Sequence, residues 1–330
     1  IYPPGVFYCK DAFEGLATMD GLMDPSARPD LITRLQRESA FERGRADETP
    51  GNAIPGEARS TVRAAPQLPA PSSWGPRVVR SMPLELVFKH LALNELFRLS
   101  WGAKNTHGED WRKLEAEYQT RLASMQRQAI ALGWLAPQAV YGYWPAQSEG
   151  DHLILFDPAT LDSTQPVELA RFTFPRQSSG DTLCLADYFA PRSSGLIDTV
   201  ALQVVTVGDK ATHRFDQLQE AGDYTEAYFA HGLAVQTAEA AATFLHAHIR
   251  RELNLGPEQG KRYSWGYPAI PELSDHRVVF DLLPVERELG MTLTSAFQLV
   301  PEQSTAAIIV HHPDAKYYTL GESRVAQLTK

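Results

Sequence analysis

The stretch Gly260-Lys-Arg-Tyr-Ser-Trp-Gly-Tyr-Pro-Ala-Ile-Pro271 gathers an arginine, three aromatic rings and two prolines among glycines. Proline fixes φ and glycine lets the backbone approach closely, so the composition describes a rigid loop against which something presses. An arginine held there can grip a carboxylate through two parallel N–H donors. The same composition also describes an ordinary packed loop with Arg262 on the surface. A second stretch, His311-His-Pro-Asp-Ala-Lys-Tyr-Tyr318, ends a strand with paired tyrosines. Two phenol rings can sandwich a flat ligand, and they can equally fill a core.

Other chemistry is thin. The chain contains no GxGxxG after a strand, no GxxxxGK[ST], no HExxH and no GxSxG. His246 and His248 stand two apart on an expected helix, about 200° around its axis, and cannot share a ligand. His311 and His312 are neighbours at a strand end and point to opposite sides. His231 falls on an apolar stripe and reads as a hydrogen-bonded core histidine. Two cysteines, Cys9 and Cys184, are too few for a disulfide framework or a zinc site, so each reads as a small core residue in a reducing compartment. No metal site is expected.

These residues need a scaffold, and the pattern along the chain supplies one. Apolar density from Leu84 to Trp101 predicts a helix. Leu114, Tyr118, Leu122, Met125, Ala129 and Leu132 predict another. Strand-like runs follow at Ala139–Trp144, His152–Phe156, Glu168–Pro175 and Thr199–Val207. A long helix is expected over Asp223–Leu253, with Tyr224, Tyr228, His231, Val235, Ala238, Ala242, Leu245 and Ile249 inward. Helical spacing returns at Phe280–Leu289, closed by Gly290, before strands at Thr292–Val300 and Thr305–Val310. Strands and helices do not alternate, and no internal repeat is evident. The fold class expected is α+β, a mainly antiparallel twisted sheet with long flanking helices.

Upstream, Val6-Phe7-Tyr8 reads as a strand and Asp11-Ala-Phe-Glu14 as the capped start of a helix that Pro25 stops. One strand and one helix cannot bury their own apolar surface, so residues 1–24 read as the last βα step, the remnant of an α/β domain. Residues 25–76 are rich in proline and scattered charge and read as a linker, with a helical turn or more in Leu31–Arg45; the folded domain spans 77–330. A chain that starts at Ile1 without a signal-like pattern reads as a piece of something longer. Its 330 residues carry 31 Lys plus Arg against 40 Asp plus Glu, a net charge of −9. That balance excludes a general nucleic-acid binder, and no apolar run approaches the roughly 20 residues that cross a bilayer.

Taken with their neighbours, the two stretches resemble a known family. Arg262-x-x-x-Gly266-Tyr267-Pro268 is similar to the S-adenosylmethionine-binding motif of the activation domain that ends cobalamin-dependent methionine synthases. The resemblance continues through Cys184-Leu-Ala-Asp-Tyr-Phe-Ala-Pro191, Ala238-Glu-Ala240, Glu286 to Gly290 with Met291-Thr-Leu-Thr294, and His312-Pro-Asp-Ala-Lys-Tyr-Tyr318, covering about residues 84 to 320. Phe7-Tyr-Cys-Lys-Asp-Ala-Phe-Glu-Gly-Leu16 is similar to the last strand and helix of the same family's cobalamin domain.

The resemblance implies that Arg262 holds the methionyl carboxylate of S-adenosylmethionine. It implies that the Gly266-Tyr267 backbone lets the ligand lie against the loop, that Tyr317 and Tyr318 line its adenosine and sulfonium region, and that Glu239 is an acid near its cationic end. The family's first-helix aspartate has no counterpart here; Asn94 and Glu95 are the nearest polar residues. Its DxHxxG cobalt-ligating motif is also absent. The implied partners are the cobalamin domain of the same polypeptide and a flavodoxin-like or other reductase, in the cytoplasm, with no nucleic acid and no membrane. The implied chemistry is a reactivating methyl transfer to cobalamin within an enzyme making methionine from methyltetrahydrofolate and homocysteine. Two rival classes are a Rossmann-type methyltransferase, which needs a glycine-rich first loop that is missing, and a non-catalytic interaction module, which leaves the Arg262 stretch and the tyrosine pair without a purpose.

Overall fold

The computed structural model describes residues 18–19, 21–26, 28–33, 60–178 and 180–320. The chain divides into two compact units, Ile1–Ala58 and Arg59–Lys330. In the first, the backbone is helical at 18–19, 21–23 and 28–33, with Pro25 in the turn between. The strand expected at Val6-Phe7-Tyr8, the helix start at Asp11 and the first cysteine, Cys9, lie outside the described residues.

The second unit is an antiparallel sheet with helices against it, as the α+β reading anticipates. Its strands are β1 (Gly75–Val79), β2 (Gln138–Glu149), β3 (His152–Phe156), β4 (Glu168–Thr173), β5 (Asp198–Thr206), β6 (Lys261–Ser264) and β9 (Ser304–Val310), in the order β4-β3-β2-β5-β9-β6 with β1 also on β2. A separate two-stranded sheet pairs β7 (Thr292–Leu293) with β8 (Leu299–Val300). The helices are α1 (Gly108–Leu132), α2 (Lys210–Glu220), α3 (Tyr224–Glu252), α4 (His276–Leu282) and α5 (Val285–Leu289).

Period-2 alternation sorts the central strands onto two cores. Val200, Leu202 and Val204 of β5 face one core with Ile308, Trp265, Phe280 and Leu185. Ala201 and Val205 face the other, where Ala240, Ala241, Leu245 and Ile249 of α3 lie on the sheet. Alanine at those positions lets the helix sit close. A third core joins the N-terminal half of α3 to α1 through Phe97, Trp101, Leu122 and Leu233. Gly232 belongs to this contact, since a Cβ there would stand 2.8 Å from the Trp101 ring.

Several expectations need correction. Leu84–Trp101 is not one helix: short helical pieces at Leu84–Val87, Phe88–His90, Leu93–Glu95 and Leu96–Ser100 are broken by extended backbone at Leu91. Thr292–Val300 is a small hairpin rather than one strand, and Pro284 divides Phe280–Leu289 between α4 and α5. On α3, Tyr224 and Tyr228 are exposed and His231 is about one third exposed beside Glu302; Ala227, Ala230, Leu233 and Ala234 take the inward face instead. Small side chains permit the closest approach, so they and not the tyrosines choose the contact face. Residues 60–74, which the composition assigns to a linker, have no regular structure. They nonetheless lie on the second unit through Ser60, Val62, Arg63 and Pro69.

Candidate functional site

Among the described residues β6 pairs with β9 alone, and no strand lies on its other edge. A cleft of about 440 Å³ opens there, walled by Arg262 to Ser264, by Tyr267 to Ile270, by Tyr317 to Thr319 and by Glu239. The register explains the division of labour. Arg262 lies opposite Ile309, whose side chain faces α3, and Tyr263 lies opposite Ile308, which faces the other core. Arg262 is thereby sent toward Glu239 on α3. The sequence reading places it in a loop; the structure places it on a four-residue edge strand, in which Lys261 to Ser264 alternate across the two faces.

Arg262 Nη2 donates to Glu239 Oε2 at 2.7 Å, and the arginine side chain is 15% exposed. Its Nη1 is buried without a partner. Buried donors are almost always satisfied, and a charged one left bare costs more than a neutral one. Tyr318 presents a second such atom, a buried hydroxyl with no partner, whose pKa burial raises so that it stays protonated and able to donate. Tyr263 is buried, donates its hydroxyl to Lys316 O at 2.7 Å, and packs edge-on against Tyr317 at 5.4 Å. Tyr267 and Tyr317 stand 61% and 67% exposed at the mouth.

The backbone of the loop is as constrained as its composition suggests. Gly266 has φ +85°, where a side chain is strained, and its N–H donates to Ile270 O. Ile270 N in turn donates to Tyr267 O, closing a turn around Pro268. At the start of β6, a Cβ on Gly260 would collide with the Val310 carbonyl oxygen. Arg250 of α3 binds the carbonyls of Gln259 and Gly260, holding the strand's entry.

His246, two helical turns beyond Glu239, is buried, and that burial, with Arg250, Arg262 and Lys261 nearby, lowers its pKa to about 3. It stays neutral and adds no charge beside Arg262. His311 and His312 are both buried: His311 Nε2 lies 2.6 Å from Asp198 Oδ1, and His312 Nε2 donates to Arg63 O at 2.8 Å. Cys184 is buried and its thiol is pushed up to about 12, again by burial. Among the described residues no group of three His, Cys, Asp or Glu could hold a metal ion.

The structure thus brings Arg262, Glu239, Tyr267, Tyr317 and Tyr318 to one cleft, with Gly266 shaping the adjoining turn. Asn94 and Glu95 are exposed and do not line it. The residue reasoning passed over Ser264, which the two-residue step from Arg262 places on the same face of the strand, and Ile270 and Thr319, which carry no signal of their own. Chemically, a guanidinium with a free donor beside a carboxylate suits a zwitterionic amino acid, its carboxylate toward Arg262 and its ammonium toward Glu239. The tyrosine rings suit a flat or cationic group next to it.

Comparison with known proteins identifies the family of the chain. The sequence profile of the family "Vitamin B12 dependent methionine synthase, activation domain" matches residues 79–330. Methionine synthase of Mycobacterium tuberculosis is 33% identical over 97% of this chain, and that of Mycobacterium leprae 32% over 97%. The chain spans only 30% of the length of either relative. A solved structure, "Crystal Structure of the MetH Reactivation Domain bound to AdoHcy", superposes with a TM-score of 0.67 at 28% identity, covering 77% of this chain and 83% of that one. The edge-strand arginine, its glutamate and the tyrosine wall therefore sit in a chain that belongs to the activation-domain family of vitamin B12-dependent methionine synthases.

Proposed function

We propose that Arg59–Lys330 binds S-adenosylmethionine in the cleft and presents its methyl group to reduced cobalamin during reductive reactivation. The unpartnered Nη1 of Arg262 carries this reading: it is a buried charged donor that the protein leaves for a ligand acceptor. The ligand carboxylate takes Nη1, and its ammonium shares Glu239 with Nη2. The Gly266-Tyr267 backbone lies against the ligand, and Tyr317 and Tyr318 line its adenosine and sulfonium end, where aromatic faces favour a cation. The co-crystallised S-adenosylhomocysteine of the structural neighbour supports the same ligand class.

Cobalamin, when bound, would supply the nucleophile; the sulfonium's S–CH3 bond breaks and the neutral thioether, S-adenosylhomocysteine, is the leaving group. No acid or base is required of the protein, whose part is to hold the methyl donor in place. We therefore assign no catalytic residue and no metal ligand to the chain. In this reading residues 1–24 end the cobalamin domain of the same polypeptide, the linker that the composition marks over 25–76 has its 60–74 part lying on the activation domain, and the folded activation domain expected over 77–330 takes in β1 from Gly75. The whole enzyme makes methionine from methyltetrahydrofolate and homocysteine in the cytoplasm, and a flavodoxin-like or other reductase supplies the electron. Calorimetric titration with S-adenosylmethionine tests the assignment: binding that disappears in Arg262→Met supports it, and absence of heat with the unaltered chain overturns it.

A further inference from the structure

The stretch from Ser60 to Pro69 has no regular structure, yet among the described residues three hydrogen bonds hold it to the rest of the second unit. Ser60 Oγ donates to Asp187 Oδ2 at 2.7 Å, Arg63 O accepts from His312 Nε2 at 2.8 Å, and Pro69 O accepts from Thr199 Oγ1 at 2.5 Å. Val62 adds an apolar contact with the core. This strap is the stretch through which Ile1–Ala58 continues into the second unit. A stretch without regular structure, held by separate point attachments, can open locally as a two-state element, docked or released.

The middle attachment leads directly to the cleft. The Asp314 N–H donates to His312 Nδ1 at 3.0 Å, so that nitrogen is the acceptor and the proton sits on Nε2, facing Arg63 O. One neutral imidazole therefore fixes the strap with one nitrogen and the turn at 312–315 with the other. Ala315 N closes the same turn on His312 O. The next residue, Lys316, accepts the Tyr263 hydroxyl, and Tyr317 and Tyr318 follow as the cleft wall. The first attachment converges on the same region: Asp187 precedes Tyr188, whose ring lies 5.5 Å from that of His312.

We infer that docking of the strap and occupation of the Arg262 cleft are coupled through His312, each strengthening the other. The inference rests on S-adenosylmethionine being the ligand of the cleft. Ligand pressed against Tyr317 and Tyr318 holds the 312–318 segment in place and so keeps the His312 ring aimed at Arg63. A docked strap holds the ring and so keeps the tyrosine wall formed. Linkage makes the two effects equal in size. The stretch that leads to the upstream unit thereby reports whether the cleft is filled.

Hydrogen exchange of the full chain, followed by mass spectrometry with and without S-adenosylmethionine, reads the coupling directly. Ligand is expected to slow exchange in peptides covering 60–70. His312→Asn keeps an acceptor for the Asp314 N–H but falls short of Arg63 O. It is expected to bind ligand about three- to tenfold more weakly, the worth of one hydrogen bond, and to lose the ligand's protection of the strap. Ser60→Ala, at the far end of the strap from the cleft, is expected to weaken binding about twofold, and it keeps the test alive if His312→Asn fails to fold. If ligand binds but strap exchange is unchanged and both variants bind as the unaltered chain does, the coupling is overturned while the cleft assignment stands. If the unaltered chain binds no ligand, both fall.

Discussion

Arg176 and Arg262 have side chains equally buried, each 15% exposed, and the protein uses them in opposite ways. All three nitrogens of Arg176 are engaged: Nε and Nη2 on Asp151, Nη1 and Nη2 on Asp187, and Nη1 also on Thr182 O. Burial works to raise the Asp187 carboxyl, but Arg176, Ser60 and the Cys184 amide outweigh it and hold it below the usual carboxylate range. Arg262 has one carboxylate on Nη2 and nothing on Nη1. A guanidinium whose donors are all satisfied braces a fold, whereas Arg262 keeps one buried donor that no protein group takes. Burial alone does not separate the two, and the tally of partners does.

The largest expected effect breaks the first of the pair. Arg176→Met strips Asp187, itself 12% exposed, of its counter-ion and is expected to cost about 3 kcal/mol of stability, measured by chemical denaturation. Arg262→Met, by contrast, leaves Glu239 with its side chain 35% exposed and able to hydrate, so stability is expected to change by less than about 1 kcal/mol while ligand binding is lost. Equal destabilisation by the two substitutions would erase the distinction. Arg262→Lys sharpens it: the charge stays but the planar fork goes, and S-adenosylmethionine affinity measured by calorimetry is expected to fall by about 1–3 kcal/mol. The smallest effect concerns the charge around Arg262. His246 is held neutral in the fold, with a pKa near 3 against an ordinary 6.5. Its contribution is full above pH 6.5 and is lost as pH falls from there toward 3, because only the unfolded chain takes up the proton. Between pH 6.5 and 5.5 this amounts to about 1 kcal/mol, and His246→Gln is expected to flatten that part of a stability-versus-pH curve.

The site was more legible in the sequence than the scaffold beneath it. Arg262, Gly266 and the tyrosine pair stand close together in short stretches, and their side-chain chemistry survives whatever backbone carries them. What the residues could not announce was that Arg262 lies on a strand. Lys261 to Ser264 is too short for alternation to outweigh Gly260 before it and Gly266 after it. The inward face of α3 was misjudged at its N-terminal half for a different reason. Tyr224 and Tyr228 offered apolar bulk at helical spacing, but contact with Trp101 requires small residues, and Gly232 and the alanines won. Leu84–Trp101 looked like one helix because its apolar density is high throughout, whereas the extended backbone at Leu91 breaks it. The attachments of residues 60–69 were invisible for a plainer cause: two of the three involve a backbone carbonyl, which every residue type offers.

The 29 residues of α3 form a shaft about 43 Å long whose two halves are gripped separately, by Trp101 and its neighbours at one end and by the sheet at the other. Glu239 lies at the join, and its angular position is locked by both grips. Adding or deleting one residue between Gly232 and Glu239 rotates everything downstream by about 100° relative to the Trp101 contact. Either the alanine face leaves the sheet or the shaft must shed the extra residue as a bulge. Substitutions around Glu239 are thus open to selection one at a time, while changes of length in this segment are closed to it, and insertions along the chain should be found in the connections and never between those two grips.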